Sequence, residues 1–333
     1  MARTATRIQH RGEIASDWDR GGSGLSAEAA EFADAVLRGL AQQPRSIPSR
    51  FLYDETGSAL FEDITRLEEY YPTRTETALL RTHGAEIAHC AGAIETLVEF
   101  GSGSSRKTRL LIEALRDLRT YVPIDVSESF LAAAAERLER DHAGLTVRPV
   151  VGDFTKARDL NGIGAERPLG FFSGSTIGNL THDEAVAFLD NTARLLGPGS
   201  AFLVGVDLEK SLDILLPAYD DARGVTAAFS LNLLSRINRE LGGDFDTRRF
   251  AHRALYNGRA GRIEIYLESL ASQTVELLGE RFDFAKGERI HTENSHKYSI
   301  GGFQALARRA GWLPMRVWTD ADGLFSLHLL RRP

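Results

Sequence analysis

Val98-Glu99-Phe100-Gly101-Ser102-Gly103-Ser104-Ser105-Arg106-Lys107 is an apolar run that ends in an acid and a small, glycine-paired turn. Upstream, Ile94, Leu97, Val98 and Phe100 supply the apolar, partly β-branched content of a short buried strand. Gly101 and Gly103 permit backbone conformations and a close ligand approach that a Cβ would block. Downstream, Thr108, Leu110, Leu111, Ala114 and Leu115 recur at helical spacing, so the order is strand, glycine turn, helix. The six-residue dinucleotide fingerprint is absent, because Arg106 stands at its third glycine position. The turn therefore reads as a nucleotide-side cofactor loop and leaves the cofactor open.

The same grammar repeats along the chain. Tyr121-Val122-Pro123-Ile124-Asp125-Val126-Ser127 is a second apolar run closed by a carboxylate, and an acid at the end of a second strand commonly accepts hydrogen bonds from a ribose diol. Asp125 is the candidate, and Asp125 or Ser127 also suits the capping of the alanine-rich helical run that reaches Leu138. A third run, Val147 to Val151, leads to Gly152-Asp153-Phe154, where an acid beside an aromatic ring suits an adenine amino group and its face. A fourth, Leu169-Gly170-Phe171-Phe172, opens onto Ser173-Gly174-Ser175-Thr176-Ile177-Gly178-Asn179-Leu180. A fifth, Ala201 to Asp207, follows a helix that stops at Gly197-Pro198-Gly199. Strands and helices alternating in this way predict an α/β fold, a mainly parallel sheet with right-handed crossovers whose polar strand ends form one working edge.

Outside this series the signals are weaker. Ile47 to Ser58 and Glu69-Tyr70-Tyr71-Pro72-Thr73-Arg74 crowd three tyrosines and several acids ahead of the first strand. That segment suits either a substrate lid or an amphipathic helix packed on the sheet. Beyond Asp207, Arg262 to Leu267 and Val275 to Leu277 read as strands of an added sheet. Phe303 to Ala310 reads as a helix stopped by Gly311, and Phe325 to Leu330 as a last strand.

With 333 residues, 43% hydrophobic, the chain can bury a large core, and its net charge of −6 gives no reason to expect a nucleic-acid partner. Cys90 is the sole cysteine, which excludes an intrachain disulfide and a cysteine-cluster metal site. No apolar stretch approaches the roughly 20 residues that span a bilayer, and the first residues lack a signal-peptide core. A cytoplasmic protein and no membrane partner are expected.

Taken together, the segments FLYDETGSALFEDITRLEEYYPTRTE, VEFGSGSSRKT, YVPIDVS, GDF, FFSGSTIGNL, AYDDARGVTAAF and HTENSHKY resemble the histidine N-alpha-methyltransferases of ergothioneine biosynthesis, across residues 40 to 330 in order. The resemblance implies a Rossmann-like S-adenosylmethionine-dependent methyltransferase fold with a second substrate-binding lobe. It implies S-adenosylmethionine as cofactor, held by Gly101, Ser102, Gly103 and Lys107, with Asp125 at the ribose and Asp153 and Phe154 at the adenine. It implies histidine as substrate, bound through Tyr70, Asn179 and Tyr219, the last two at the carboxylate and amino end. Tyr53, Glu293 and Ser295 would then meet the imidazole. Glu293 can accept and Ser295 can donate, and two residues apart in an extended segment they share a face. Positioning by these residues, with no catalytic acid or base and no metal, is expected. His291 and His296 bracket Glu293 but lack a defined metal-ligand spacing.

Two departures from the resemblance stand out. Histidine-specific members often carry methionine after the Ile-Glu dipeptide where this chain has Ile265, and His296 stands where some relatives carry a small residue. The expected layout is a flexible leader over 1–25, a helical substrate-side segment over 26–80, the methyltransferase core over 81–207, a substrate-binding lobe over 208–300 and a return to the core over 301–333, acting as a monomer. Methylation of another amino acid or biogenic amine, and nucleotide binding without catalysis, are the alternative functions.

Overall fold

The computed structural model describes residues 26–102, 106–125, 128–155 and 165–333. The expected leader, Gly103 and Ser127 lie outside the described residues. Helix α1 (Ala27–Ala41) leads to the short strand β1 (Arg45–Ser46) and to helices α2 (Glu55–Ile64) and α3 (Tyr71–Ala91). Then comes the alternating series: β2 (Thr96–Phe100), α4 (Arg106–Ala114), β3 (Thr120–Asp125), α5 (Glu128–Asp141), β4 (Thr146–Val147), β5 (Val150–Val151), β6 (Pro168–Phe172), α6 (His182–Leu196) and β7 (Ala201–Asp207). The short α7 (Leu212–Leu215) and the long α8 (Val225–Leu241) precede β8 (Phe250–Asn257), β9 (Arg262–Ser269), β10 (Gln273–Leu277), β11 (Glu280–Phe284) and β12 (Arg289–His296). Helix α9 (Ile300–Arg309) and strands β13 (Leu313–Thr319) and β14 (Phe325–Arg331) close the chain.

The larger sheet has the order β13-β14-β7-β6-β2-β3-β4, with β5 also on β3. β2, β3, β4, β5, β6 and β7 are parallel, and β14 and β13 add antiparallel at one edge. Every residue of β2, β6 and β7 is buried, which is why they read as unbroken apolar runs. The run expected as one strand from Val147 to Val151 is divided in two. Tyr121 pairs with Val147 and Ile124 with Val150, and the gap between holds Pro123 on one strand and Pro149 on the other. Neither has an N–H to give the ladder. Helix α6 begins at a Thr181/Glu184 capping box and ends at Gly197, at φ +79°, as the Gly-Pro-Gly turn implies.

Chain order reverses between β2 and β6: the chain runs outward from β2 to β4 on one side and from β6 to β7 on the other. Ligands of open α/β sheets bind at that crevice, beyond the carboxyl ends of the strands. Gly101 lies at the end of β2, and the Ser173-to-Asn179 loop at the end of β6.

A second, four-stranded sheet has the order β1-β12-β9-β8. This second sheet therefore draws on the amino-terminal segment as well as on residues between 208 and 300. β1 pairs in parallel with β12, and Phe32, Val36 and Leu40 of α1 share a buried cluster with Leu233 and Ile237 of α8. β12 is also stitched to the main sheet. Tyr298 N–H donates to Asp207 C=O at 3.1 Å and Glu209 N–H to Tyr298 C=O at 3.1 Å, so the exit of β12 lies against the end of β7.

Candidate active site

The expected cofactor side is built largely from backbone. Gly101 adopts φ +74°, a conformation open to glycine, and its N–H donates to Ile124 C=O at 2.8 Å. A Cβ there would meet the Phe154 ring at 3.2 Å. Phe154 is fixed by Phe172 and Phe188, with ring centroids 5.4 and 5.8 Å away. Ser102 is buried beside Gly101, and Asp125 ends β3, where its C=O accepts from Gly152 N–H at 2.9 Å. Asp153 accepts from Thr155 N–H at 2.9 Å and from Arg50 at 3.3 Å. The space that a Cβ at Gly101 would fill, an aromatic face beside it and carboxylates at two neighbouring strand ends fit an adenosyl group.

Lys107 follows the turn on α4. Its Nζ donates to Glu76 Oε2 at 2.5 Å. Glu76, fully buried on α3, also accepts from Gly174 N–H at 2.9 and 3.0 Å, which links α3, α4 and the loop after β6. It fits because of Gly205 on β7, where a Cβ would lie 2.1 Å from Oε1. Glu99 is buried below the turn, accepts from Thr108 and Tyr121, and is pushed up to about 7 by burial.

The opposite wall is aromatic. Tyr53 packs against Phe61 (5.5 Å) and Phe229 (5.3 Å), Phe61 against Tyr70 (6.2 Å), and Tyr70 against Tyr219 (6.4 Å). Asp54 secures Tyr53 by capping α2 at Gly57 N–H (2.8 Å) and accepting from Asn232 of α8 (2.7 Å). Gly57 is obligatory, since a Cβ would lie 1.8 Å from Leu52 C=O. Burial drives the Tyr53 and Tyr70 hydroxyls well above their ordinary value, and the charge of Glu293 adds to both. The charge of Asp125 adds a further, smaller push to Tyr53. His252 Nε2 donates to Tyr219 C=O at 2.8 Å, leaving Nδ1 to accept from Ser230 at 3.0 Å and fixing the turn that carries Tyr219.

β12 completes the pocket. Asn179 Nδ2 donates to Glu293 Oε1 at 3.1 Å, and the Tyr219 and Ser295 hydroxyls share a bond of 2.8 Å. The residues expected at the two ends of the amino acid thus touch one another in pairs. Burial pushes Glu293 up to about 7, against the pull of Lys297 and the Asn179 hydrogen bond. Ile265 on β9 lies directly opposite Glu293 and shares its face of the sheet. His296 faces the other way: its Nδ1 donates to Gly178 C=O at 2.9 Å and its ring lies 5.0 Å from that of His182. It supports the Asn179 loop from outside, and Gly178 is small because a Cβ would sit 2.8 Å from His296 C=O.

Three residues here escaped the sequence reading. Lys297 donates to Asp207, Tyr219 and Ser295, Asp207 accepts from Tyr71 and Lys210, and Glu76 joins the two halves. Among the described residues no group of three or more His, Cys, Asp or Glu could hold a metal ion, and no helix is long and apolar enough to cross a membrane.

A doubly wound sheet with a glycine turn at its switch point, facing an aromatic pocket for a second small molecule, is the plan of an S-adenosylmethionine-dependent methyltransferase. The chain belongs to the S-adenosylmethionine-dependent histidine-specific methyltransferase family, whose model matches residues 32–332. It is 44% identical to a histidine N-alpha-methyltransferase of Mycolicibacterium smegmatis, over 92% of this chain and 98% of that protein. Ergothioneine biosynthesis protein 1 of Neurospora crassa is 31% identical over 87% of this chain and 33% of that protein. An L-tryptophan methyltransferase of Psilocybe serbica is 29% identical over 89% and 92%.

Proposed function

We propose that this enzyme methylates the α-amino nitrogen of L-histidine in up to three rounds, giving the trimethylated betaine hercynine for ergothioneine biosynthesis. The observation that carries the reading is the pair of contacts Asn179–Glu293 and Tyr219–Ser295 at the end of the aromatic wall, above the switch point. Glu293 accepts the imidazole N–H and Ser295 donates to the other ring nitrogen, with Tyr53 beside them. Asn179 and Tyr219 take the carboxylate and amino end, Tyr70 lines the wall between, and binding exchanges the two intramolecular bonds for bonds to the amino acid. Gly101, Ser102, Gly103, Lys107, Asp125, Asp153 and Phe154 form the cofactor side.

S-Adenosylmethionine supplies an electrophilic methyl group on a positively charged sulfur. What remains for the protein is geometry and exclusion of water, which can contribute up to about 7–11 kcal/mol. The attacking amine must be neutral, and burial beside a cation lowers its pKa. No general base is needed for the displacement itself. Tyr53, Phe61, Tyr70 and Tyr219 wall the amino acid off from water.

The test is calorimetric titration of histidine with S-adenosylhomocysteine present, together with mass spectrometry of the products. Glu293→Ala should cost about 1–3 kcal/mol of histidine binding, and the parent should yield mono-, di- and trimethylhistidine. Unchanged affinity in the variant removes Glu293 from the pocket. Faster turnover of tryptophan, tyrosine or histamine than of histidine favours another acceptor.

A further inference from the structure

The Tyr219–Ser295 pair rests on a buried cation. Lys297 Nζ donates to Asp207 Oδ2 at 2.6 Å, to Tyr219 OH at 2.6 Å and to Ser295 Oγ at 2.7 Å, and its side chain is 1% exposed. Those three bonds use all three ammonium protons. Burial lowers the pKa of this lysine and the Asp207 carboxylate opposes that, holding the ion pair together. Asp207 is doubly supported: Lys210 donates to Oδ1 at 2.6 Å and the Tyr71 hydroxyl to both oxygens at 2.9 Å.

A hydroxyl that accepts from an ammonium turns a lone pair towards it and its own proton away. Tyr219 and Ser295 accept from the same cation, so both protons are directed away from it. One bridges the pair at 2.8 Å and the other faces the pocket; when the pair opens, both are free to donate. We propose that Lys297 is a positioning residue that sets both hydroxyls as hydrogen-bond donors, Tyr219 towards the carboxylate and Ser295 towards the ring, and that through Ser295 it selects an amino acid whose side-chain ring offers an unprotonated nitrogen. The inference rests on the histidine reading of this pocket. An indole brings only an N–H donor, and an imidazolium brings two donors and a charge that the ammonium repels. Without Lys297 the hydroxyls are free to turn and accept, and the discrimination relaxes.

The experiment compares the affinities of L-histidine and of 2-thienylalanine, whose ring has no nitrogen, in the presence of S-adenosylhomocysteine. The weaker ligand is measured by competition. Ser295→Ala should lower the preference for histidine about tenfold or more. Lys297→Met should lower it by a similar factor, and the double variant should lower it no further. Equal losses for both ligands in Lys297→Met, with the Ser295→Ala effect intact, overturn the inference and leave the histidine reading standing. An unchanged preference in Ser295→Ala overturns the histidine reading of the pocket, and the inference with it. If Lys297→Met does not fold, Lys297→Met/Asp207→Asn removes both partners of the buried pair together and is judged by the same ratio.

Discussion

The two ends of the site are made of different material. At the proposed cofactor end the decisive features are backbone: a left-handed glycine, a strand end, an aromatic ring closing on a missing Cβ. At the proposed amino-acid end they are side chains from five separate segments, at Tyr53, Tyr70, Asn179, Tyr219 and β12, anchored by the Lys297–Asp207 pair. The first kind of site is spoiled by adding a methyl group, and the second by removing a charge.

Glu76 stands where the two ends meet, so its loss should break both. Glu76→Ala leaves Lys107 unpaired and the Gly174 N–H without an acceptor, and should cost about 3–5 kcal/mol of stability in denaturant unfolding. A smaller loss, with both ligands still bound, would mean that the two ends are held independently. Gly101→Ala should act on one end alone, weakening S-adenosylhomocysteine by about 1–3 kcal/mol in a titration, because the added Cβ is strained at this φ and reaches Phe154. Unaltered cofactor affinity would show that the turn is not where the nucleotide approaches.

At the other end Glu293 gives a pH signature. Its folded pKa, about 7, lies above the ordinary carboxylate value, so its ionisation opposes folding. The stability it permits is full below the ordinary carboxylate range and is lost as pH rises through about 7. Glu293→Gln should accordingly be more stable than the parent by about 1–3 kcal/mol at pH 8 and equal to it near pH 4. Unfolding curves at the two pH values check this, and an equal difference at both would contradict the buried charge. Ile265→Met should have the smallest effect, about 1.5 kcal/mol or less on histidine affinity, as a near volume-conserving change on the same wall.

The same contrast explains what could be read from the sequence. β2, β3, β6 and β7 are apolar runs because the sheet is covered on both faces, and Gly101 and Asp125 announce themselves by closing such runs. The amino-acid end has no such local signature. Tyr53, Asn179 and Glu293 are ordinary in their own neighbourhoods, and the resemblance of whole segments brought them together, not periodicity. Lys297 had a legible signal, being the third member of the alternation Glu293, Ser295, Lys297, and Asp207 closes the fifth apolar run. A lysine after a polar strand reads as solvated until β7 is seen beneath it. Glu76 had none: an acid among threonines and an arginine on a helix reads as exposed, and only the space at Gly205 lets it in. The extent of the second lobe was hidden for a similar reason, since β1 is two residues long and gains its meaning from β12.

The alternation along β12 separates two jobs that most binding loops mix. Glu293, Ser295 and Lys297 face the pocket, while Thr292 donates to Ile265 C=O at 3.3 Å and His296 buttons the strand to Gly178. The proposed substrate contacts and the His296 anchor therefore sit on opposite sides of one ribbon. A lineage could rewrite what the pocket accepts by exchanging Glu293 and Ser295, while His296 keeps the strand fastened to Gly178 and Lys297 keeps it paired with Asp207 of the main sheet.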